Sequence, residues 1–261
     1  MDNKKYNYIE NNDGTVTLDF CEGVKDLSEP VIWDLDNIDR RITQVNIPST
    51  VESINCRFVE DMMYVERFQV NPANKHFIEV DDCVYSADMR ELIAYPPNKS
   101  DRFFEIPSAV EGIAPWAFCC NNHLCCVNIG SNVKAIGRRA FDRAFSLQHI
   151  YIDKSVSEIE DFFCQCGDLD LYISVRASLI VAGVAGSAIE RWCRENATYF
   201  LALKDDQVDD FITSPIWTRD IPELSDEEYL ACWKYNNPPL WGTYNLGDIN
   251  QYSGLVPNEV A

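Results

Sequence analysis

Residues 104–130 read FEIPSAVEGIAPWAFCCNNHLCCVNIG, and residues 127–153 read VNIGSNVKAIGRRAFDRAFSLQHIYID. Laid over one another, the two stretches place the same kind of side chain in the same columns. Ile106, Ile129 and Ile152 form one column, Val110, Val133 and Val156 a second, and Ile113, Ile136 and Ile159 a third. Phe118 pairs with Phe141, Leu124 with Leu147, and Val127 with Ile150. Every step is 23 residues. An earlier unit holds Val45, Ile47, Val51, Ile54, Phe58, Val65, Phe68 and Val70, and Ile47 to Val70 is again 23. A fixed period of this length is the mark of a repeat architecture, in which one unit cannot bury its own apolar face and stacked units cover each other.

Within a unit the columns assign local structure. The pairs Val45/Ile47, Phe68/Val70, Phe104/Ile106, Val127/Ile129, Ile150/Ile152 and Leu171/Ile173 alternate with one intervening residue, the period of a short strand. Their middle residues, Asn46, Gln69, Glu105, Asn128, Tyr151 and Tyr172, then face away from the core. Stacking lines them in one column, a candidate interaction face, because Asn, Gln and Tyr supply adaptable hydrogen bonds and contact area. The same residues are equally what a solvated sheet face carries. After each strand comes a polar turn (Pro48-Ser49, Pro107-Ser108, Gly130-Ser131), then a Val-x-x-Ile step, then an Ala-Phe stretch expected to form a helical turn. In the unit from Ile152, Phe163 precedes the place of the aromatic and Cys164 occupies it; these and Cys166 are expected in the core.

The pattern I-P-x-x-V-x-x-I-x-x-x-A-F, then L-x-x-V-x-I, carried by Ile106–Phe118 and Leu124–Ile129, resembles the BspA-like class of leucine-rich repeats. The resemblance spans roughly residues 42–200. It implies a repeat solenoid of leucine-rich-repeat type: short β-strands joined by helical or irregular turns, with α+β caps. It also implies protein binding and, in surface-exposed members, adhesion to host proteins. Two further segments fit. Residues 71–97 look like the family's hairpin insertion, with CVYS and ELIAYP as strands and SADMR as the turn. Gly186–Phe200 resembles its closing helix and strand, with Ser187 as N-cap and Glu190 completing a capping box.

The expected organisation is an N-terminal cap over 1–41, repeats over 42–204 and an acidic, aromatic and Pro-rich segment over 205–261. The last carries Trp217, Tyr229, Trp233 and Trp241 and a short helix from Ser225 to Trp233; it is either a C-terminal cap or a docking tail.

The formal charge of −20 opposes binding to nucleic acid or an anionic membrane surface. No stretch is long and apolar enough to insert in a membrane. The N-terminus, MDNKKYNYIENNDG, carries no leader pattern, and 11 cysteines is an odd number; both suggest a cytoplasmic chain with reduced thiols, or a cell-surface one if a leader precedes it.

Chemistry-bearing residues are sparse. Cys119, Cys120, His123, Cys125 and Cys126 are the nearest approach to a zinc set, but Cys120-x4-Cys125 is off the usual spacing and core filling explains the cysteines better. The histidines His76, His123 and His149 are far apart, and His149 is expected to point outward. No nucleophile elbow, phosphate loop, zinc-protease or nucleotide motif occurs. The expectation is a non-enzymatic interaction or scaffolding protein without metal or cofactor. Alternatives are an adhesin-like binder of host protein or glycan, a self-associating structural repeat, and an enzyme seated in the last 57 residues.

Overall fold

The computed structural model describes residues 5–28, 42–59, 62–162, 179–196, 198 and 200–213. The chain winds as a β-solenoid of about seven turns. One parallel ladder runs through β2 (Val16–Phe20), β4 (Ile42–Ile47) and β6 (Arg67–Val70), with β1 (Tyr6–Glu10) antiparallel on β2. The parallel stack therefore already begins within the segment expected as a cap. A short second ladder joins β3 (Asp26–Leu27) to β5 (Ser53–Ile54).

The hairpin strands come next: β7 (Phe77–Val80), β8 (Cys83–Ser86) and β9 (Glu91–Ala94) are successively antiparallel. β9 is also the first strand of a parallel ladder that continues through β11 (Gly112–Ile113), β13 (Ala135–Ile136) and β15 (Glu158–Ile159). The inserted segment is thus welded into the solenoid. The last ladder holds β10 (Phe103–Glu105), β12 (Cys126–Ile129), β14 (His149–Ile152), β16 (Ile180–Val184) and β17 (Phe200–Leu203).

The 23-residue period sets the register of these ladders. Val127 lies opposite Ile150 and Ile129 opposite Ile152, and Ile113 opposite Ile136. Inside, aromatics stack along the axis. Phe118 and Phe141 are parallel with centroids 4.6 Å apart, Phe141 meets Phe162, and Phe162 lies 4.4 Å from Trp192. The column continues through Phe162, two residues short of the expected position, because the Phe141 N–H bonds the Phe162 carbonyl. Phe163, Cys164 and Cys166 lie outside the described residues.

The Ala-Phe stretch is not helical here. It is a run of tight turns in which Trp116 and Cys120 adopt left-handed backbone (φ 66° and 60°), as do Arg139 and Arg143 one turn later (57° and 55°). Such residues cost about 1–2 kcal/mol each outside glycine. Bonds between turns offset this: the N–H groups of Trp116, Phe118 and Cys120 donate to the carbonyls of Arg138, Ala140 and Asp142 at 3.2, 2.7 and 2.8 Å. A helix would satisfy these groups within its own turn and leave the stack without them.

Two buried asparagines brace the corners. The Asn74 amide donates to the Pro48 and Val51 carbonyls, and its Oδ1 accepts from the His76 and Phe77 N–H groups. Asn121 donates to the Pro96 carbonyl and accepts from His123 and Leu124. Polar groups buried at a corner need partners, and the Asn amide supplies both donor and acceptor.

Helix α1 (Ala188–Glu195) closes the stack, burying Ile189, Trp192 and Cys193. Ser187 precedes it in extended backbone, but its hydroxyl makes no cap bond; the Glu190 carboxylate instead accepts from the Gly186 N–H at 2.6 Å. The expected capping box is therefore displaced one residue outward. A short helix α2 (Val208–Ile212) follows β17.

Candidate interaction face

The residues read as one outward column fall into two groups. On the first ladder the register sets Asp19 beside Asn46 and Asn46 beside Gln69. Their side chains are joined: the Asn46 amide donates to Asp19 Oδ1 at 2.9 Å, and the Gln44 amide donates to Asn46 Oδ1 at 2.7 Å and to Gln69 Oε1 at 2.9 Å. Gln69 is exposed and Asn46 half-buried. The result is a polar row held in one orientation across three strands. Gln44 and Asp19, absent from the sequence-derived set, complete it. Their signal was the pairing register, which the repeat columns imply but do not state for residues two apart on one strand.

On the last ladder Glu105 lies beside Asn128, and Asn128 beside Tyr151. Glu105 is exposed, but Asn128 and Tyr151 are buried. Tyr151 belongs to a second apolar cluster with Cys125, Cys126, Ala182, Leu201, Leu203 and Phe211. This cluster lies on the sheet face opposite the core, and α2 supplies its cover through Phe211. The Asn128 Oδ1 has no hydrogen-bond partner among the described residues. The expectation of outward exposure thus fails at Asn128 and Tyr151: the strand pleat points them away from the core, and other chain then covers them.

Nor is the column continuous. The edge of β6 is met by the hairpin, where the Phe68 N–H donates to the Asp82 carbonyl. The strand beside β14 is β16, with Ala182 opposite Tyr151. Tyr172, like Trp217, Tyr229, Trp233, Trp241 and the helix expected at Ser225, lies outside the described residues.

The cysteine-rich corner disperses. Cys119 and Cys120 face each other in the core, with sulfurs 3.3 Å apart. His123 turns to Asn98, with Nε2 2.9 Å from Oδ1. Cys125 sits near the His123 carbonyl, and Cys126 lies 3.9 Å from His149 Nδ1. Among the described residues no three His, Cys, Asp or Glu side chains converge as metal ligands would. His149 is half-buried instead of fully outward, and burial pulls its pKa down to about 4. Among the described residues no helix is long and apolar enough to cross a membrane.

Parallel ladders at a 23-residue step, closed over apolar columns, define a leucine-rich-repeat solenoid. Residues 98–179 match the family described as "BspA type Leucine rich repeat region", in six copies, and these repeats are of that type. Three solved structures are similar. A leucine-rich repeat protein from Eubacterium ventriosum ATCC 27560 aligns at 15% identity and TM-score 0.44, over 64% of this chain and 47% of that one. A leucine rich cell surface protein from Faecalibacterium prausnitzii A2-165 aligns at 17% and 0.45, over 74% and 61%. The pneumococcal vaccine antigen PcpA aligns at 13% and 0.37, over 63% and 56%. The chain therefore spans less than two thirds of each of these relatives. No curated protein matches it.

Proposed function

We propose that the chain is a non-enzymatic repeat scaffold that binds a protein partner across the polar row Asp19–Asn46–Gln44–Gln69. The observation that carries this is the hydrogen-bonded order of that row. Binding normally costs the freezing of exposed side chains, about 0.5–1.5 kcal/mol for each. Here mutual bonds hold four of them before any partner arrives. The row presents carbonyl and amide groups at strand spacing beside an exposed arginine, Arg67. That suits a protein surface rich in backbone or amide groups and does not suit a polyanion.

The test compares wild type with Asn46→Arg/Gln69→Arg in affinity capture from cells of the source organism. Circular dichroism must first show both folded. Loss of one set of partners from the variant supports the face. Identical capture profiles would remove it, and the search would move to Glu105 and the segment beyond residue 213.

A further inference from the structure

The buried thiols differ in what surrounds them. Cys56 and Cys83 sit in apolar core, and burial pushes both upward, as expected of inert structural cysteines. Cys119 and Cys120 are also closed off from water, but their sulfurs are 3.3 Å apart. The contact follows from the repeat. Cys120 is in left-handed backbone, and so is Arg143, its equivalent one turn on. The Cys120 N–H donates to the Asp142 carbonyl at 2.8 Å, which fixes the two turns over one another. The guanidinium of Arg143 thereby comes within 4.0 Å of the Cys120 sulfur.

That cation decides the direction of the thiol–thiol bond. Negative charge is favoured on the sulfur nearest the guanidinium, so the Cys119 S–H donates and the Cys120 sulfur accepts. The hydrogen bond, and burial after it, hold Cys119 well above the usual thiol range. The same hydrogen bond, helped by Arg143, lowers Cys120 in spite of its burial. The neighbouring pair Cys125–Cys126 has the same sequence but turns its thiols to the His123 carbonyl and His149. A Cys-Cys dipeptide alone does not make this arrangement.

We propose that Cys119 and Cys120 form an oxidation site, with Cys120 as nucleophile and Cys119 as resolving thiol, which a small peroxide closes to a vicinal disulfide. The Cys120 thiolate attacks one peroxide oxygen. The O–O bond breaks, Cys120 becomes a sulfenic acid, and the departing hydroxide takes up the proton lost by Cys120. The Cys119 sulfur then attacks the Cys120 sulfur. The S–S bond forms, the S–O bond breaks, and the oxygen leaves as water with the Cys119 proton. Two thiols lose two electrons in all, and one peroxide becomes two waters. Because both sulfurs are buried, the oxidant enters only when the turn at residues 119–123 opens, and opening sets the rate.

The experiment exposes the folded full chain to hydrogen peroxide, then unfolds and alkylates it and maps cysteines by tandem mass spectrometry. The expected result is loss of two hydrogens, localised between Phe118 and Asn121 and restored by dithiothreitol. In Cys119→Ser the reaction should stop at the sulfenic acid, trapped by dimedone at Cys120. In Cys120→Ser neither product should form. Recovery of both Cys119 and Cys120 as alkylatable thiols, under exposure that modifies the partly exposed Cys21, overturns the proposal. So does a disulfide from either residue to another cysteine. The wild-type mapping decides the matter even if a variant fails to fold.

Discussion

The ring of Phe211 lies against that of Tyr151, with centroids 6.5 Å apart and planes inclined at 49°. Tyr151 points away from the solenoid core, and its hydroxyl donates to Asp153 Oδ2 at 3.1 Å. Phe211 arrives from a helix of only five residues, tethered nearby by the ion pair of Lys154 with Asp205. An outward strand face has become a second, smaller core.

That contact predicts a local effect. Phe211→Ala should cost about 3 kcal/mol, the low end for a buried Phe, because the site is at the edge of the fold and can collapse or open. Hydrogen exchange at residues 208–213 should accelerate while β12 and β14 stay protected. Unchanged exchange at 208–213 would show that Phe211 does not hold the segment.

Phe141 tests the central stack. It is buried, parallel to Phe118 and in contact with Phe162. Phe141→Ala removes one member from the middle of the column, so both neighbours lose packing. The expected loss is about 3–5 kcal/mol in urea melts. Since the units support each other only as neighbours, unfolding should start in the middle of the array. A loss below about 1 kcal/mol, smaller than the deletion of any well-packed core aromatic, would contradict the stacked column.

His149 gives a pH dependence with a definite sign. Its folded pKa is lowered to about 4 from an ordinary 6.5. Between these values the unfolded chain binds a proton that the folded chain does not. Stability is therefore full above pH 6.5 and falls as pH drops toward 4, by at most about 3 kcal/mol. Urea melts at pH 7, 5.5 and 4.5 should show a steeper loss for wild type than for His149→Gln. Parallel profiles would place the histidine in contact with water.

Much of this fold is legible in one dimension. Ile106, Ile129 and Ile152 recur at a fixed step, and a fixed step admits a stacked, in-register array. The strands around Val127 and Ile150, their inward residues and the packing of Phe118 on Phe141 all follow from that. The closing helix is readable from its apolar spacing, though its capping by Glu190 through Gly186 is not. The turn after Phe118 is misread as helical because Ala and Phe have no local signature for left-handed corners. Those corners exist through bonds to the next turn, which are not a local property.

The candidate face divides in the same way. Pleating alone puts Asn46, Gln69, Glu105, Asn128 and Tyr151 on the side away from the core. Whether that side meets water depends on chain distant in sequence: the Asp82 carbonyl ends the first ladder at β6, and Phe211 covers Tyr151 from 60 residues away. Likewise the Cys119–Cys120 dipeptide is plain in the sequence, but only the stacking of two turns brings Arg143 to its sulfur. Periodicity by itself determined which residues repeat and which way they point. The tertiary structure decided what covers them and which charges they meet, because coverage and electrostatics depend on distances through space that no spacing along the chain encodes.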